Sequence, residues 1–187
     1  MDQVNVVALC GSTRASSMNL ALLKAAALHV PPGMRVTSIV DGRIAPHYNP
    51  DYEARGAIPR SAARWRELAG EADGIILSSP EYAGGIPGTF KNALDWLVGE
   101  PRFYRKPVAI LSASNRSVGA ALALRLVLST MSADLIESAS INLPLLGKGE
   151  SELEKPEHWL LIHSALIAFM AEITSLKQPR PRLASNY

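Results

Sequence analysis

Residues 4–20 read VNVVALCGSTRASSMNL, and the pattern changes twice along them. From Val4 to Cys10 the run is apolar and valine-rich, which suits a buried strand. It stops at Gly11. Ser12, Thr13, Arg14, Ser16 and Ser17 follow, and Asn19 leads into the helical pattern LALLKAAAL. Strand, polar loop and helix in that order open an α/β sheet. The free N–H groups and the macrodipole at a helix start form an anion seat. Hydroxyl and amide side chains add donors, and an arginine can grip phosphate oxygens with two N–H groups. A plain N-cap needs one such side chain; here six of the eight residues 12–19 carry donors. The loop reads as a phosphate seat. Its glycines match neither G-x-G-x-x-G nor G-x-x-x-x-G-K-[ST].

A second segment, DGIILSSPEYAGGIPGTFKNALDWLV at 73–98, repeats the arrangement. Gly74 to Ser78 suits a buried strand, and Pro80 ends it. Gly84-Gly85 and Pro87-Gly88 predict an open turn before a helix striped with Phe90, Ala93, Leu94 and Leu97. Tyr82 offers an aromatic face. Gly84 and Gly85 let a flat ligand approach backbone N–H groups closely.

The rest of the chain keeps alternating. Strands are expected at about 4–10, 34–40, 74–79, 107–113 and 134–141. Helices are expected at about 17–29, 59–71, 88–98, 117–131 and 152–174. Between them lies an irregular stretch, 41–58. Residues 1–176 read as one domain and 177–187 as a poorly ordered tail. Such alternation predicts a doubly wound, five-stranded parallel sheet with helices on both faces, in the flavodoxin-like order 2-1-3-4-5. In that order the switch point falls between the first and third strands, where ligands bind. The two richest loops follow those two strands.

The segments GSTRASSMN (11–19) and PEYAGGIPGTFKNALDWL (80–97), with SASNRSVGA (112–120) as a weaker third, resemble the NADPH-dependent FMN reductases of flavodoxin-like fold. That family includes chromate, quinone and azo reductases. The matches run in order from residue 4 to about 130. The resemblance implies bound FMN and a nicotinamide coenzyme, NADPH or NADH. It also implies a small-molecule electron acceptor and a homodimer or homotetramer. It places cofactor contacts at Ser12, Thr13, Arg14, Ser17, Met18 and Asn19 on the first loop. On the second they fall at Pro80, Glu81, Tyr82, Ala83, Gly84 and Gly85, and on the third at Ser112, Ala113, Ser114 and Gly119. The family often has Asn where this chain has Ala83. Flavin supplies the redox chemistry, so no catalytic side chain and no metal ligand is assigned.

Bulk properties are compatible. Net charge is +2 over 187 residues, and no dense basic run suggests nucleic acid. Arg102, Arg105 and Lys106 read as a solvated turn. The single Cys10 excludes an internal disulfide and reads as a small buried hydrophobe. No secretory signal is visible, and the longest apolar run, Trp159 to Met170, is too short for a membrane span. A soluble cytoplasmic protein is expected. Glu81 reads as a surface carboxylate or a positioner of its loop, Trp65 as core, and Asp95 and Trp96 as packing or subunit contact. His47-Tyr48-Asn49 reads as a solvated loop or a cover for a neighbour's flavin. Arg125, on an apolar helix, is expected to meet a carboxylate across a subunit interface or to snorkel to solvent.

The alternative is a flavodoxin-type FMN electron carrier without its own hydride site. Such carriers tend to be strongly acidic to steer toward basic partners, whereas this chain has a pI near 8.8.

Overall fold

Alternation along the first strand sets the layers. In the computed structural model, which describes residues 3–44 and 46–177, β1 (Val4–Cys10) sits inside the sheet. β2 (Met34–Asp41) pairs parallel with one edge of it and β3 (Gly74–Ser78) with the other. β4 (Pro107–Ser112) follows β3, and β5 (Asp134–Leu135) follows β4, so the order is β2-β1-β3-β4-β5. This is the flavodoxin-like order. Val4, Val6, Ala8 and Cys10 face one layer, built by α1 (Met18–Leu28) and α6 (Pro156–Lys177). Val7 and Leu9 face the other, built by α3 (Arg60–Glu71), α4 (Gly88–Asp95) and α5 (Val118–Thr130). A strand covered on both faces needs apolar residues at every position, and so β1 reads as a continuous run.

The fifth strand differs from expectation. The segment 134–141 is not one strand: β5 ends at Leu135, and a 3-10 turn, Glu137–Ala139, intervenes. A second short strand, β6 (Ile141–Asn142), then pairs with the far end of β4. The ladder survives the interruption because a side chain stands in for backbone. The Ile110 N–H donates to Ser140 Oγ at 3.1 Å, while Ser140 Oγ donates to the Ile136 carbonyl at 3.0 Å.

Three other expectations are corrected. The stretch 41–58 contains a short helix, α2 (Pro50–Ala54), capped by Asn49 and opened by proline. The last helix begins at Pro156 rather than 152, because a residue before proline is disfavoured in helical backbone and Glu150–Glu154 forms a 3-10 turn instead. It also continues to Lys177, which pairs with Asp73 at 2.6 Å. Those 22 residues are long and apolar enough to cross a membrane by length and composition, contrary to the shorter run expected. In this fold one stripe of the helix, including Ile162, Leu166, Phe169 and Ile173, is buried in the core. Of the expected tail, residues 178–187 lie outside the described residues.

Lys106 is not solvated. Its ammonium is buried and donates to the carbonyls of Ala72 at 2.5 Å and Gly70 at 3.0 Å. It thereby satisfies open carbonyls at the C-terminus of α3, and burial pushes its pKa below the usual lysine range. Its neighbours behave as expected of a charged turn: Arg102 pairs with Glu100 and Arg105 with Asp134. Arg125 pairs with Glu137 of its own chain at 2.8 Å. Trp65 is core, with its Nε1–H donating to the Ala93 carbonyl at 2.8 Å.

Candidate functional site

The carboxyl ends of β1, β3 and β4 stand side by side, and the loops that leave them border one cleft of about 730 Å³. That volume lies within the usual range for sites that hold a cofactor-sized ligand. The cleft opens at the topological switch point, where β1 sends the chain to β2 on one side and β3 continues on the other.

The first wall is the loop 11–17 with the start of α1. Gly11 N–H donates to the Ser78 carbonyl at 2.8 Å, and Ser78 Oγ donates to Asn19 Oδ1 at 3.0 Å, so the loop is tied to the end of β3. Ser17 is buried and caps α1, accepting the Leu20 N–H at 3.2 Å. Ser12 Oγ accepts the Arg14 N–H at 3.4 Å. The Arg14 side chain reaches the cleft with no partner among the described residues. Cys10 lies beneath, buried; desolvation raises its pKa above the usual thiol range, which makes it a poor nucleophile.

The second wall follows β3. Tyr82 and Gly85 exchange two backbone hydrogen bonds, at 2.9 and 3.0 Å. Between them Ala83 (φ 50°) and Gly84 (φ 74°) both adopt positive φ, the mark of a type I′ turn. Glycine or asparagine enters that backbone readily, whereas alanine pays roughly 1–2 kcal/mol. An asparagine would fit this position, and alanine leaves strain there. A side chain at Gly85 would project into open space, so its backbone is bare.

The third wall repeats the first. Ser114 Oγ accepts the Arg116 N–H at 3.1 Å, just as Ser12 does for Arg14. Ser112 Oγ in turn donates to the Ser114 carbonyl at 2.8 Å.

The second and third walls are clasped together, which the sequence did not reveal. Glu81 Oε2 accepts the Ala120 N–H at the start of α5 at 2.9 Å. It is thus half-buried and committed, which favours the loop-positioning role over that of a plain surface carboxylate. A carboxylate at a helix N-terminus also gains from the macrodipole. Gly119 packs so closely on the Gly84 carbonyl that any Cβ there would overlap it.

Of the residues singled out from the sequence, Ser12, Arg14, Ser17, Met18, Asn19, Pro80, Glu81, Tyr82, Ala113 and Ser114 line the cleft. Thr13, Ala83, Gly84, Gly85, Ser112 and Gly119 are not among its lining residues. The cleft also has Arg116, Ser117, Leu145, Leu146, Gly147 and Lys148 on its wall. The 145–148 loop carries no local signal of a site; the Leu145 N–H bond to the Ala113 carbonyl at 3.3 Å brings it there.

Comparison with known proteins agrees with this geometry. Over 124 residues the chain is 40% identical to an NAD(P)H-dependent FMN reductase of Pseudomonas aeruginosa, covering 65% of this chain and 66% of that protein. Over 113 residues it is 36% identical to an NADPH:quinone oxidoreductase of Arabidopsis thaliana, covering 58% and 57%. The aligned part thus spans 66% and 57% of the length of these two curated relatives. The fold matches that of the flavoenzyme NAD(P)H:(acceptor) oxidoreductase FerB from Paracoccus denitrificans, with TM-score 0.74 at 21% identity, over 92% of this chain and 98% of that one. A family model described as NADPH-dependent FMN reductase matches residues 4–148, a stretch that holds β1 to β4 and every wall of the cleft, and the chain belongs to that family.

Proposed function

We propose that this protein is an FMN-dependent NAD(P)H oxidoreductase that reduces small acceptors such as quinones, azo dyes, free flavin or metal oxyanions. The observation that carries the reading is the convergence of three loops on one switch-point cleft, with an unpartnered arginine at a helix start inside it.

The residues present fit FMN. A terminal phosphate suits the start of α1, where Ser12, Thr13, Arg14, Ser17, Met18 and Asn19 stand and where a helix start presents backbone N–H groups. A flat ring suits the side bounded by Pro80, Glu81, Tyr82, Ala83, Gly84 and Gly85, where no Cβ obstructs Gly84 or Gly85. Ser112, Ala113, Ser114 and Gly119 close the third side. FMN, when bound, takes two electrons from a reduced nicotinamide and yields them to an acceptor. The protein's own part is to bind, orient and hold. Arg14 neutralises phosphate charge, Tyr82 offers an aromatic face, and the Glu81–Ala120 clasp keeps two walls at a constant distance. No side chain is required as an acid or base.

One cleft serves both substrates in this reading, so they enter in turn. Initial-rate lines at several fixed acceptor concentrations should then be parallel in double-reciprocal form; intersecting lines would refute the shared opening. The decisive test comes first. Purified protein should be yellow, and anaerobic NADPH or NADH should bleach it. A yellow protein that neither coenzyme bleaches would be an electron carrier instead, though a pI near 8.8 disfavours that class.

A homodimer or homotetramer belongs to the same proposal. Val118, Leu122 and Leu126 are all exposed and recur every fourth residue, one unpaired apolar face along α5. A lone, buried thiol suits the cytoplasm.

A further inference from the structure

We propose that Arg116 recognises a phosphate of the nicotinamide coenzyme, at a position separate from the FMN phosphate seat. The inference rests on the reductase reading above.

Most arginines among the described residues are partnered. Arg35, Arg43, Arg55, Arg64, Arg66, Arg102, Arg105 and Arg125 each hold a carboxylate or another side-chain or backbone acceptor. Among the described residues only Arg14, Arg60 and Arg116 have a guanidinium without one. Arg60 opens α3 and does not border the cleft. The other two both line it. Each is presented by the same device, a serine hydroxyl accepting the arginine's own N–H, from Ser12 in one loop and Ser114 in the other.

The sheet keeps the two apart. Arg14 follows β1 and Arg116 follows β4, with β3 between them. Two inter-strand spacings separate the roots of these loops by about 10 Å. A phosphate seated at the start of α1 is therefore served by Arg14, and Arg116 is left for a second anion. Nothing in the wall neutralises it. Glu81 is the one carboxylate among the described lining residues, and it is committed to the Ala120 N–H. Lys148 adds a further positive charge, shared with Glu152 at 3.5 Å. An uncharged quinone or dye would leave Arg116 idle. A nicotinamide dinucleotide brings a pyrophosphate and, in NADPH, a 2′-phosphate, and a guanidinium grips either through two N–H groups.

The test uses FMN-loaded protein and ligands that cannot turn over. Wild type and Arg116→Ala are titrated calorimetrically with NADP⁺, 2′,5′-ADP and 5′-ADP, and the apoproteins with FMN. The variant should bind NADP⁺ at least about tenfold more weakly, the low end for a lost charge-assisted pair, with FMN affinity unchanged. Loss for 2′,5′-ADP alone would assign the 2′-phosphate; equal loss for 5′-ADP would assign the pyrophosphate. Either outcome upholds the proposal. Unchanged NADP⁺ affinity overturns it, and so does a loss of FMN affinity as large as that of NADP⁺. Failure of the reductase reading looks different: wild-type flavin would then stay oxidised under anaerobic NADPH and NADH, whatever the variant does.

Discussion

Two regions at the flanks of α4 treat their polar groups in opposite ways. On one flank the segment 46–54 folds back against α3 and α4, and several of its polar groups are paired with those helices. The Asn92 side chain accepts the Tyr48 N–H at 2.7 Å and donates to the Ile44 carbonyl at 2.6 Å. Trp96 Nε1–H donates to the Pro46 carbonyl at 2.9 Å, and Tyr48 packs edge-on against the indole. Arg66 is buried, donates to the Trp96 carbonyl at 2.5 Å, pairs with Glu53 and lies over the Trp96 ring. On the other flank the cleft carries guanidinium groups without partners, and the turn after its lining residue Tyr82 holds a strained Ala83. Buried polar groups left unpaired are costly, so a region that only needs stability pairs them all. A region that must receive an anion keeps donors free and exposed. The difference supports the reading of the cleft as the binding side, and does so from geometry alone.

The largest effect should come from removing a pairing on the satisfied flank. Arg66→Ala leaves Glu53 and the Trp96 carbonyl without their donor and should cost about 3 kcal/mol, the low end for breaking a buried pair, since Glu53 is partly exposed. Urea unfolding reads it, and flavin affinity of the folded fraction should not change. A cost below about 1 kcal/mol would erase the contrast between the flanks.

Arg14→Ala should do the reverse. Stability should move by less than about 0.5 kcal/mol, as for other exposed sites, while FMN affinity falls by about 1.5–3 kcal/mol. Fluorescence quenching on titration of the apoprotein measures this; an unchanged dissociation constant removes Arg14 from the phosphate seat.

Relief of strain sharpens the contrast further. Ala83→Asn should raise stability by about 1 kcal/mol, because asparagine followed by glycine suits a type I′ turn. If Tm falls instead, the alanine is held by contacts that the turn geometry does not reveal.

The smallest effect concerns acid. Arg125 holds the Glu137 carboxyl below the usual glutamate range. A depressed folded pKa adds stability that is present above the unfolded pKa, near 4.3, and lost as pH falls through the lower folded value. Glu137 is largely in solvent and Arg125 partly so, so Arg125→Ala should remove only about 0.5 kcal/mol at pH 7. The gap between the two proteins should close below about pH 4. A gap that persists there would assign Arg125 a packing role.

Much of this was legible in the chain. Continuous apolar runs at 4–10 and 74–78 mark strands buried on both faces, and the alternation with helices gives the sheet order. Loops rich in donors and glycine then fall at the switch point by rule. These are local patterns, and Val4–Cys10, Ser17 and the 82–85 turn show them directly. Long-range partners leave no such trace. Lys106 reads as a charged turn residue, because the carbonyls that bury it lie 34 and 36 residues away. Glu81 finds the Ala120 N–H across 39 residues, and Arg125 finds Glu137 only because the fifth strand breaks at a 3-10 turn. Gly119 is needed because the Gly84 carbonyl arrives beside it from another loop. Periodicity and turn chemistry are properties of a few consecutive residues, so the sequence alone determined most of the elements, the sheet order and which loops leave the strands at the switch point. Which charges are neutralised and which stay free depends on what the packed sheet brings alongside them, and only the tertiary structure decided that.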